Sequence, residues 1–359
     1  MTPHYEWQTS RSAASGRSNP ATWALLLVAA LLAACSTTGG TKDKPDWVDG
    51  PAAAYPAGQF LLGRGYAESV ELAQERARAD LAKTFEVSIA VEASDSQRAK
   101  SEGGEMRYEA ASEQRIVTRT DQVISGLRIA ELWKAPVTES GGSRQHALAV
   151  LPRLQAGMAL RQEIAARDDA ISRQIERARA TTDPLDRAGL AGRALALARE
   201  RAAFDKSLRV VDLGGRGVDT ALSVARLQTD LAEQLKRVAL VPSAATSGPF
   251  DDAGLLSLVK GAIAEAGFVA GETTEGASAT YRVKVSANLT EEYLQGWHWV
   301  RGNLVLSVAD TAGRVRGTLA WPIKASAQEQ AAARSRSLLE IERLLKQELR
   351  GAVLGFAAL

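Results

Sequence analysis

The chain has 359 residues, with 44 Lys and Arg against 42 Asp and Glu, so its formal net charge is only +2. Without a basic excess to neutralise phosphates, the composition argues against a nucleic-acid partner. The single cysteine, Cys35, excludes an internal disulfide, so the fold depends on its packed core. The length is enough for two or three domains.

Residues 1–34 have the organisation of a secretory signal peptide. Arg11 and Arg17 supply positive charge, and the uncharged run 23–34 follows them. A helix over that run is ~18 Å long, which is shorter than the ~30 Å hydrocarbon core of a bilayer. We therefore predict a cleaved signal and not a membrane span. Removing two arginines and Glu6 leaves 42 basic and 41 acidic residues in the mature chain.

Cys35 follows Leu32, Ala33 and Ala34, and Ser36 comes directly after it. This sequence resembles the bacterial lipobox. The resemblance implies cleavage before Cys35, followed by acylation of its thiol and of the new amino terminus with chains such as palmitate. Several acyl chains anchor a protein stably, whereas one chain is marginal. Ser36 in place of an aspartate implies sorting to the outer membrane; the alternative is an ordinary signal peptide with an incidental cysteine.

Residues 35–46 are polar and predict a lipidated tether. Residues 47–152 then predict a compact α+β domain. Its expected elements are a strand over 60–67, a helix that begins near Ser69 with an alanine-rich face, a half-buried strand over 85–91, and strands near 127–133 and 146–151.

Residues 153–236 are rich in Ala, Arg, Glu and Leu and predict a helical connector, a hairpin followed by one further helix. Asp183 and Pro184 have the positions of an N-cap and a first helical residue. Residues 237–359 predict a second α+β domain. Its expected elements are a strand over 238–241, a helix capped by Asp251 or Asp252, a strand over 281–289, a hairpin over 297–324 and a C-terminal helix from about 327. The predicted fold class is α+β, with two small α/β sandwich modules joined by the helical hairpin region.

Side chains that would carry catalysis are sparse. His146 and His298 fall in strands of different domains, so they do not form a catalytic pair. Gly63 and Gly65 lie between a strand and a helix, but Glu68 occupies the place of the third glycine in a dinucleotide motif. We therefore predict a structural role for these glycines at a bulge or tight strand exit. We expect no enzymatic activity, no cofactor and no metal site.

Aromatic residues cluster in the predicted C-terminal hairpin. Trp297 and Trp299 share one strand face, Tyr293 precedes them, and Trp321 on the partner strand is expected to lie close across the hairpin. One interpretation is core packing of a small sheet. The other is a patch that binds a partner or stacks on a glycan such as peptidoglycan, because Trp and Tyr dominate interface hot spots.

Several short motifs together point to a family. The lipobox, the sequence Pro45-Asp46-Trp47-Val48, the strand that ends over 63–67 and the helix from Val70 make residues 35–152 resemble the Lpp-twenty lipoprotein family. The domain is also similar to the N-terminal domain of flagellar assembly protein T. The resemblance implies a small α/β sandwich on an envelope lipoprotein, used for assembly or binding. It carries over no catalytic residue.

These observations predict an outer-membrane lipoprotein that faces the periplasm. Its expected role is a scaffold, assembly or accessory factor of an envelope machine. The membrane, reached through the lipid anchor on Cys35, and an envelope protein are the expected partners. One alternative is a lipoprotein that binds peptidoglycan through Tyr293, Trp297, Trp299 and Trp321, and another is an envelope hydrolase.

Overall fold

The computed structural model describes residues 43–97, 126–136, 144–271 and 279–357. These residues form two β-sheets and six α-helices, which confirms the predicted α+β class. The strands are β1 (Phe60–Ala67), β2 (Arg128–Lys134), β3 (Gln145–Pro152), β4 (Val238–Ser247), β5 (Val269–Ala270), β6 (Ala279–Leu294), β7 (Trp297–Ala309) and β8 (Val315–Ala327). The helices are α1 (Val70–Gln97), α2 (Arg153–Ala180), α3 (Pro184–Val211), α4 (Val224–Leu235), α5 (Asp252–Glu265) and α6 (Gln330–Gly355).

The first sheet is antiparallel in the order β1-β3-β2, and helix α1 packs closely on one of its faces. Two glycines of β1 make this close packing possible. A Cβ at Gly65 would lie 2.2 Å from the carbonyl oxygen of Ala73, and one at Gly63 would lie 2.3 Å from that of Ala77. Only glycine fits where a helix backbone approaches a strand so closely. The structural role predicted for the pair is confirmed, although helix packing, and not a bulge or strand exit, is the reason.

The segment before β1 covers the opposite face of the first sheet. A short 3₁₀ helix (Asp46–Val48) places Trp47 against Trp133 and Leu148 in a small second cluster. Arg64 fastens this segment, since its guanidinium donates to the carbonyl oxygens of Trp47 and Gly50, each at 2.8 Å. Strand β3 is therefore buried on both faces.

Helix α1 is longer than its sequence pattern suggested. It continues to Gln97, so the strand predicted over 85–91 is wrong. Phe85 lies four residues after Leu81 and is buried with it in the core beneath the first sheet. This spacing continues the helical face of Ala77, and burial of that face outweighs the β-type alternation of the residues that follow.

Helices α2 and α3 form the predicted antiparallel hairpin, each with 28 residues and thus ~42 Å long. One end of the hairpin contributes Ile164 and Phe204 to the core of the first sheet. The other end contributes Ile171 and Leu195 to the core of the second sheet. The helices are therefore part of both cores. Residues from Asp46 onward form one compact unit.

The second sheet has the order β5-β4-β6-β7-β8. Strand β4 runs parallel to β6, with α5 as the crossover, and β6, β7 and β8 are antiparallel. Asp251 caps α5 as predicted, because its carboxylate accepts from the backbone N–H of Gly254 at 2.5 Å. Helix α6 buries Ile341 and Leu345 in the second core. The side of the sheet that bears this core is called the inner face below, and the opposite side the outer face.

Asp183 joins the helical hairpin to the second sheet. As the predicted N-cap of α3, it accepts from the backbone N–H groups of Leu185 and Asp186 at 2.9 and 3.0 Å. The same carboxylate accepts from the Tyr281 hydroxyl at 2.6 Å and from the Arg316 guanidinium at 2.8 Å. Arg316 is the extra residue of a β-bulge in β8, and bulges re-aim side chains in this way.

Hydrogen bonds and ion pairs stabilise the charged groups of this junction. Burial acts to raise the pKa of Asp183, but hydrogen bonds from Tyr281, the backbone and Arg316 outweigh it and hold the pKa below its ordinary value. Burial and the same carboxylate raise the pKa of the Tyr281 phenol. Arg316 also pairs with Asp186. Both residues of that pair are largely buried, so water screens their attraction less than at the surface.

We expect Asp183→Asn to lower the free energy of unfolding by about 1–3 kcal/mol at pH 7, because charged hydrogen bonds are lost while an amide still caps the helix. Since the pKa of Asp183 is lowered on folding, the carboxylate stabilises fully above the unfolded-state pKa of about 3.9 and loses its effect as the pH falls through the folded-state pKa. Urea unfolding should show the two proteins converging at acidic pH. Asp169→Asn, at an exposed position of α2, is the control; a gap that persists at low pH would contradict the assignment.

Candidate functional site

The two faces of the second sheet differ in what covers them. On the inner face of β7, Val300, Leu304 and Leu306 are buried in the second core. On the outer face, no helix of the described residues packs across the long strands β6, β7 and β8. Its side chains are mostly polar, small or basic: Arg282, Lys284, Ser286, Asn288, Thr290, Asn303, Thr318, Ala320, Pro322 and Lys324. This open face is the candidate binding surface.

A tight turn ends the β6–β7 hairpin at one end of this surface. Only Gln295 and Gly296 separate the strands, with φ angles of 53° and 83°. Two positive φ values are typical of a type I′ turn, which matches the twist of the strands it joins. Leu294 therefore pairs directly with Trp297 on the outer face. Residues 293–298 are called the hairpin tip below.

The hairpin tip exposes apolar side chains on both sides. Leu294 and Trp297, on the outer face, are 50% and 41% exposed. Tyr293 points to the other side, is 67% exposed and stacks on His298 with 4.7 Å between ring centroids. Paired residues share a sheet face, so these two pairs occupy opposite sides of the same hairpin.

Cations cover the ring of Trp299 behind the tip. The guanidinium of Arg301 lies 4.4 Å from the ring centroid, and Lys324 Nζ lies 5.3 Å from it. Such cation–π contacts are favourable even at partly exposed sites. Arg301 also donates to Glu292 at 3.5 Å, so that carboxylate is paired. The outer face behind the tip therefore presents positive charge.

On the inner side of the tip, a cavity of about 190 Å³ lies beside the first turn of α6, with Tyr293, His298 and Gln330 among its lining residues. The carboxylate of Glu291, also in the lining, accepts from Gln330 at 2.9 Å and from the guanidinium of Arg334 at 2.5 and 2.7 Å. These bonds, led by that from Arg334, lower the pKa of Glu291 against the opposing effect of burial. Glu291 is thus a paired anion.

The expectation that Trp321 lies near the other aromatic residues is wrong. Trp321 pairs with Leu304 on the inner face and packs against the second core, whereas Trp299 pairs with Ser326 on the outer face. Trp321 and Ser326 are five positions apart along β8, which is ~17 Å along a strand. The predicted cluster is therefore divided, with Trp297 and Trp299 on the outer face, Tyr293 on the other side of the tip, and Trp321 partly buried against the second core.

Sequence reasoning missed Leu294, Arg301 and Lys324 as members of the surface. The dipeptide Gln295-Gly296 between two alternating runs was the available signal, because it allows a two-residue hairpin and sets the pairing. The predicted strand over 281–289 is confirmed but extends to Leu294, which brings the tip out beyond the expected end.

The remaining predicted residues are distributed as follows. Leu32, Ala33, Ala34 and Cys35 lie outside the described residues. His146 is in β3 of the first sheet and stacks between Tyr66 and Trp133, while His298 is in the second sheet. Within the described residues, no group of three or more His, Cys, Asp or Glu is placed to hold a metal ion. In the same part of the chain, no helix has the length and apolar character to cross a membrane.

Residues 45–152 match the family model of the LPP20 lipoprotein. This confirms the resemblance recognised in the sequence for the first domain, and the matched region ends where helix α2 begins. The match supports a lipoprotein held at a membrane of the cell envelope. The similarity to flagellar assembly protein T and the domain boundaries stay predictions.

Several solved structures are similar to the chain, and two of them are described here. A minor lipoprotein from Acinetobacter baumannii shares 15% identity over 33% of this chain and 92% of its own, with a TM-score of 0.25. The secreted protein HP1454 from Helicobacter pylori shares 15% identity over 84% of this chain and 98% of its own, with a TM-score of 0.38. No curated protein matches the chain.

The division of the aromatic residues is testable by stability. We expect Trp297→Ala to change the free energy of unfolding by less than about 0.5–1 kcal/mol, because the side chain is at an exposed turn. Trp321→Ala should cost about 2–4 kcal/mol, because it removes a large side chain packed on the core. Chemical denaturation of both variants measures the difference. Equal losses would contradict the assignment of the two residues to different faces.

Proposed function

We propose that this protein is a lipid-anchored lipoprotein of the outer membrane that faces the periplasm and binds an envelope partner without catalysing a reaction. The observation that carries the proposal is the match to the LPP20 lipoprotein, which begins ten residues after Cys35. The lipobox and the polar tether over 35–46 then provide an anchor directly before the matched domain.

The outer face of the second sheet supports a binding role. Its strands β6 and β7 have 16 and 13 residues, so they form a long, rigid and largely exposed platform. Arg282 and Lys284 give one end a positive charge, and Arg301 and Lys324 do so near the tip. A platform of small polar side chains flanked by cations suits a partner protein with an acidic surface, because charge complementarity steers association.

Peptidoglycan binding is a second candidate, and the exposure of Trp297 favours it. The aromatic ring of an exposed Trp can stack on a sugar ring. The site would rest on Trp297 and not on four aromatic residues, because Arg301 and Lys324 already cover Trp299. In a pull-down with isolated peptidoglycan, loss of binding by Trp297→Ala would support this candidate. Absence of binding by the unaltered protein would exclude it.

The anchor is tested at Cys35. We expect Cys35→Ser to abolish metabolic labelling with a fatty acid, because the thiol is the attachment point for the lipid. Ser36→Ala, at the neighbouring position, should keep the labelling and serves as the control. Mass spectrometry of the N-terminal peptide identifies the modified residue. Labelling that persists in Cys35→Ser would refute the assignment.

The partner is tested by photocrosslinking in intact cells. A photoreactive amino acid in place of Lys284 should give a discrete adduct with one envelope protein, because this side chain is exposed on the open face. The same amino acid in place of Lys260, exposed on helix α5, should not give that adduct. If neither Lys284 nor the neighbouring positions Arg282 and Asn303 give a specific adduct, the binding role of this face is wrong.

A further inference from the structure

We propose that the hairpin tip is a second membrane contact, which inserts Tyr293, Leu294 and Trp297 into the interface of a bilayer with anionic headgroups. The inference rests on the proposed lipid anchor, which would keep the protein at such a membrane. It assigns one ligand class, anionic phospholipid, to the end of the open sheet face.

The tip combines a lack of charge with exposed apolar side chains. Residues 293–300 contain no Asp, Glu, Lys or Arg. Three of the apolar side chains, those of Tyr293, Leu294 and Trp297, are between 41% and 67% exposed. Exposed groups of large apolar residues mark interaction sites. Trp and Tyr in particular favour the boundary between lipid and water, because one part of the ring system is apolar and another is polar.

The shape of the tip favours lipid over a flat partner. The turn at Gln295 and Gly296 is tight, and Leu294 and Trp297 lie on one side of it while Tyr293 and His298 lie on the other. A flat protein or a glycan strand would cover only one side. Lipid headgroups and acyl chains surround an inserted tip, so they cover the apolar groups on both sides.

The charges behind the tip are compatible with anionic headgroups. Arg301 and Lys324 lie over Trp299, directly behind the apolar pair. Arg336 adds a third cation nearby, since it donates to the carbonyl oxygen of Ser326, the residue paired with Trp299. Basic side chains close to a membrane surface attract anionic lipid.

The carboxylates near the tip are mostly compensated. Glu292 is paired with Arg301, and Glu291 accepts from Arg334. Glu329, the N-cap of α6, is exposed and is a further acidic group near the tip. The paired carboxylates repel an anionic surface less than free ones would, because each lies beside a guanidinium. Since Arg301 and Glu292 compensate one another, Lys324 and Arg336 are the cations that would attract the headgroups.

The immediate neighbours of Trp297 also favour lipid over a sugar. The residue paired with it is Leu294, whose side chain offers no hydrogen bond to a hydroxyl group. Trp299, the next aromatic residue on that face, has its ring covered by cations. A glycan site normally combines a free ring with polar side chains that fix the sugar.

The experiment uses the lipidated protein with Gln295→Cys, labelled with a polarity-sensitive dye and reconstituted in vesicles of phosphatidylethanolamine and phosphatidylglycerol. Acylation blocks the thiol of Cys35, so the dye reports on the tip alone. We expect a blue-shifted emission, quenching by nitroxide-labelled lipid and protection from iodide. Thr311→Cys, in the exposed β7–β8 turn, is the matched control and should stay accessible to iodide.

A charge variant and a lipid exchange test the electrostatic part. Lys324→Gln with Arg336→Gln should lower the ratio of inserted to exposed tip roughly fivefold for each cation removed. Replacing phosphatidylglycerol by phosphatidylcholine should have a similar effect. An unchanged ratio in both tests would overturn the assignment of anionic lipid.

Flotation of the vesicles separates this inference from the proposed anchor. Vesicles that carry the protein while the Gln295→Cys dye stays as exposed as the Thr311→Cys dye would overturn the membrane contact and leave the anchor intact. Protein that fails to float would overturn both. A dye response to isolated peptidoglycan but not to vesicles would assign the tip to a glycan and overturn the lipid contact.

Discussion

The helical hairpin of α2 and α3 is the constraint on which the rest of the structure depends. Each helix is ~42 Å long, which is enough to contribute side chains to two separate cores. Ile164 and Phe204 complete the first core, and Ile171 and Leu195 complete the second. Asp183 then ties the start of α3 to the second sheet through Tyr281 and Arg316. Neither sheet can therefore lose the hairpin without exposing apolar surface.

This arrangement leaves the outer face of the second sheet open among the described residues. Helices α5 and α6 contribute to the core on the inner face, so β6, β7 and β8 keep their other face open among the described residues. The paired strands are stiff, and a two-residue turn carries Leu294 and Trp297 at their end. In the proposed function the sheet would meet a partner along its face, and in the further inference it would meet the membrane at its tip. Both contacts would use rigid elements, which position binding groups more accurately than loops do.

Local signals in the sequence predicted local features well. Asp183 and Asp251 cap helices as expected, because an Asx side chain before a helical run satisfies free N–H groups whatever the tertiary fold. The alternation over 281–289 correctly indicated one buried and one wet face. The residues after Phe85 show the limit of this reasoning. Their alternation suits a strand, but Phe85 continues the buried helical face of Ala77 and Leu81, and the helix extends to Gln97. Strand register could not be predicted either. The register that separates Trp321 from Trp299 depends on a turn and on two partner strands.

The sequence by itself determined the anchor motif around Cys35, the family resemblance of the first domain and the α+β class, because each depends on short motifs or on periodicity within single elements. Only the tertiary structure decided why Gly63 and Gly65 are glycines and which aromatic residues share a surface. Those properties depend on the approach of a helix to a strand and on strand register. Both are set by contacts between residues far apart in the chain, and no local pattern encodes them.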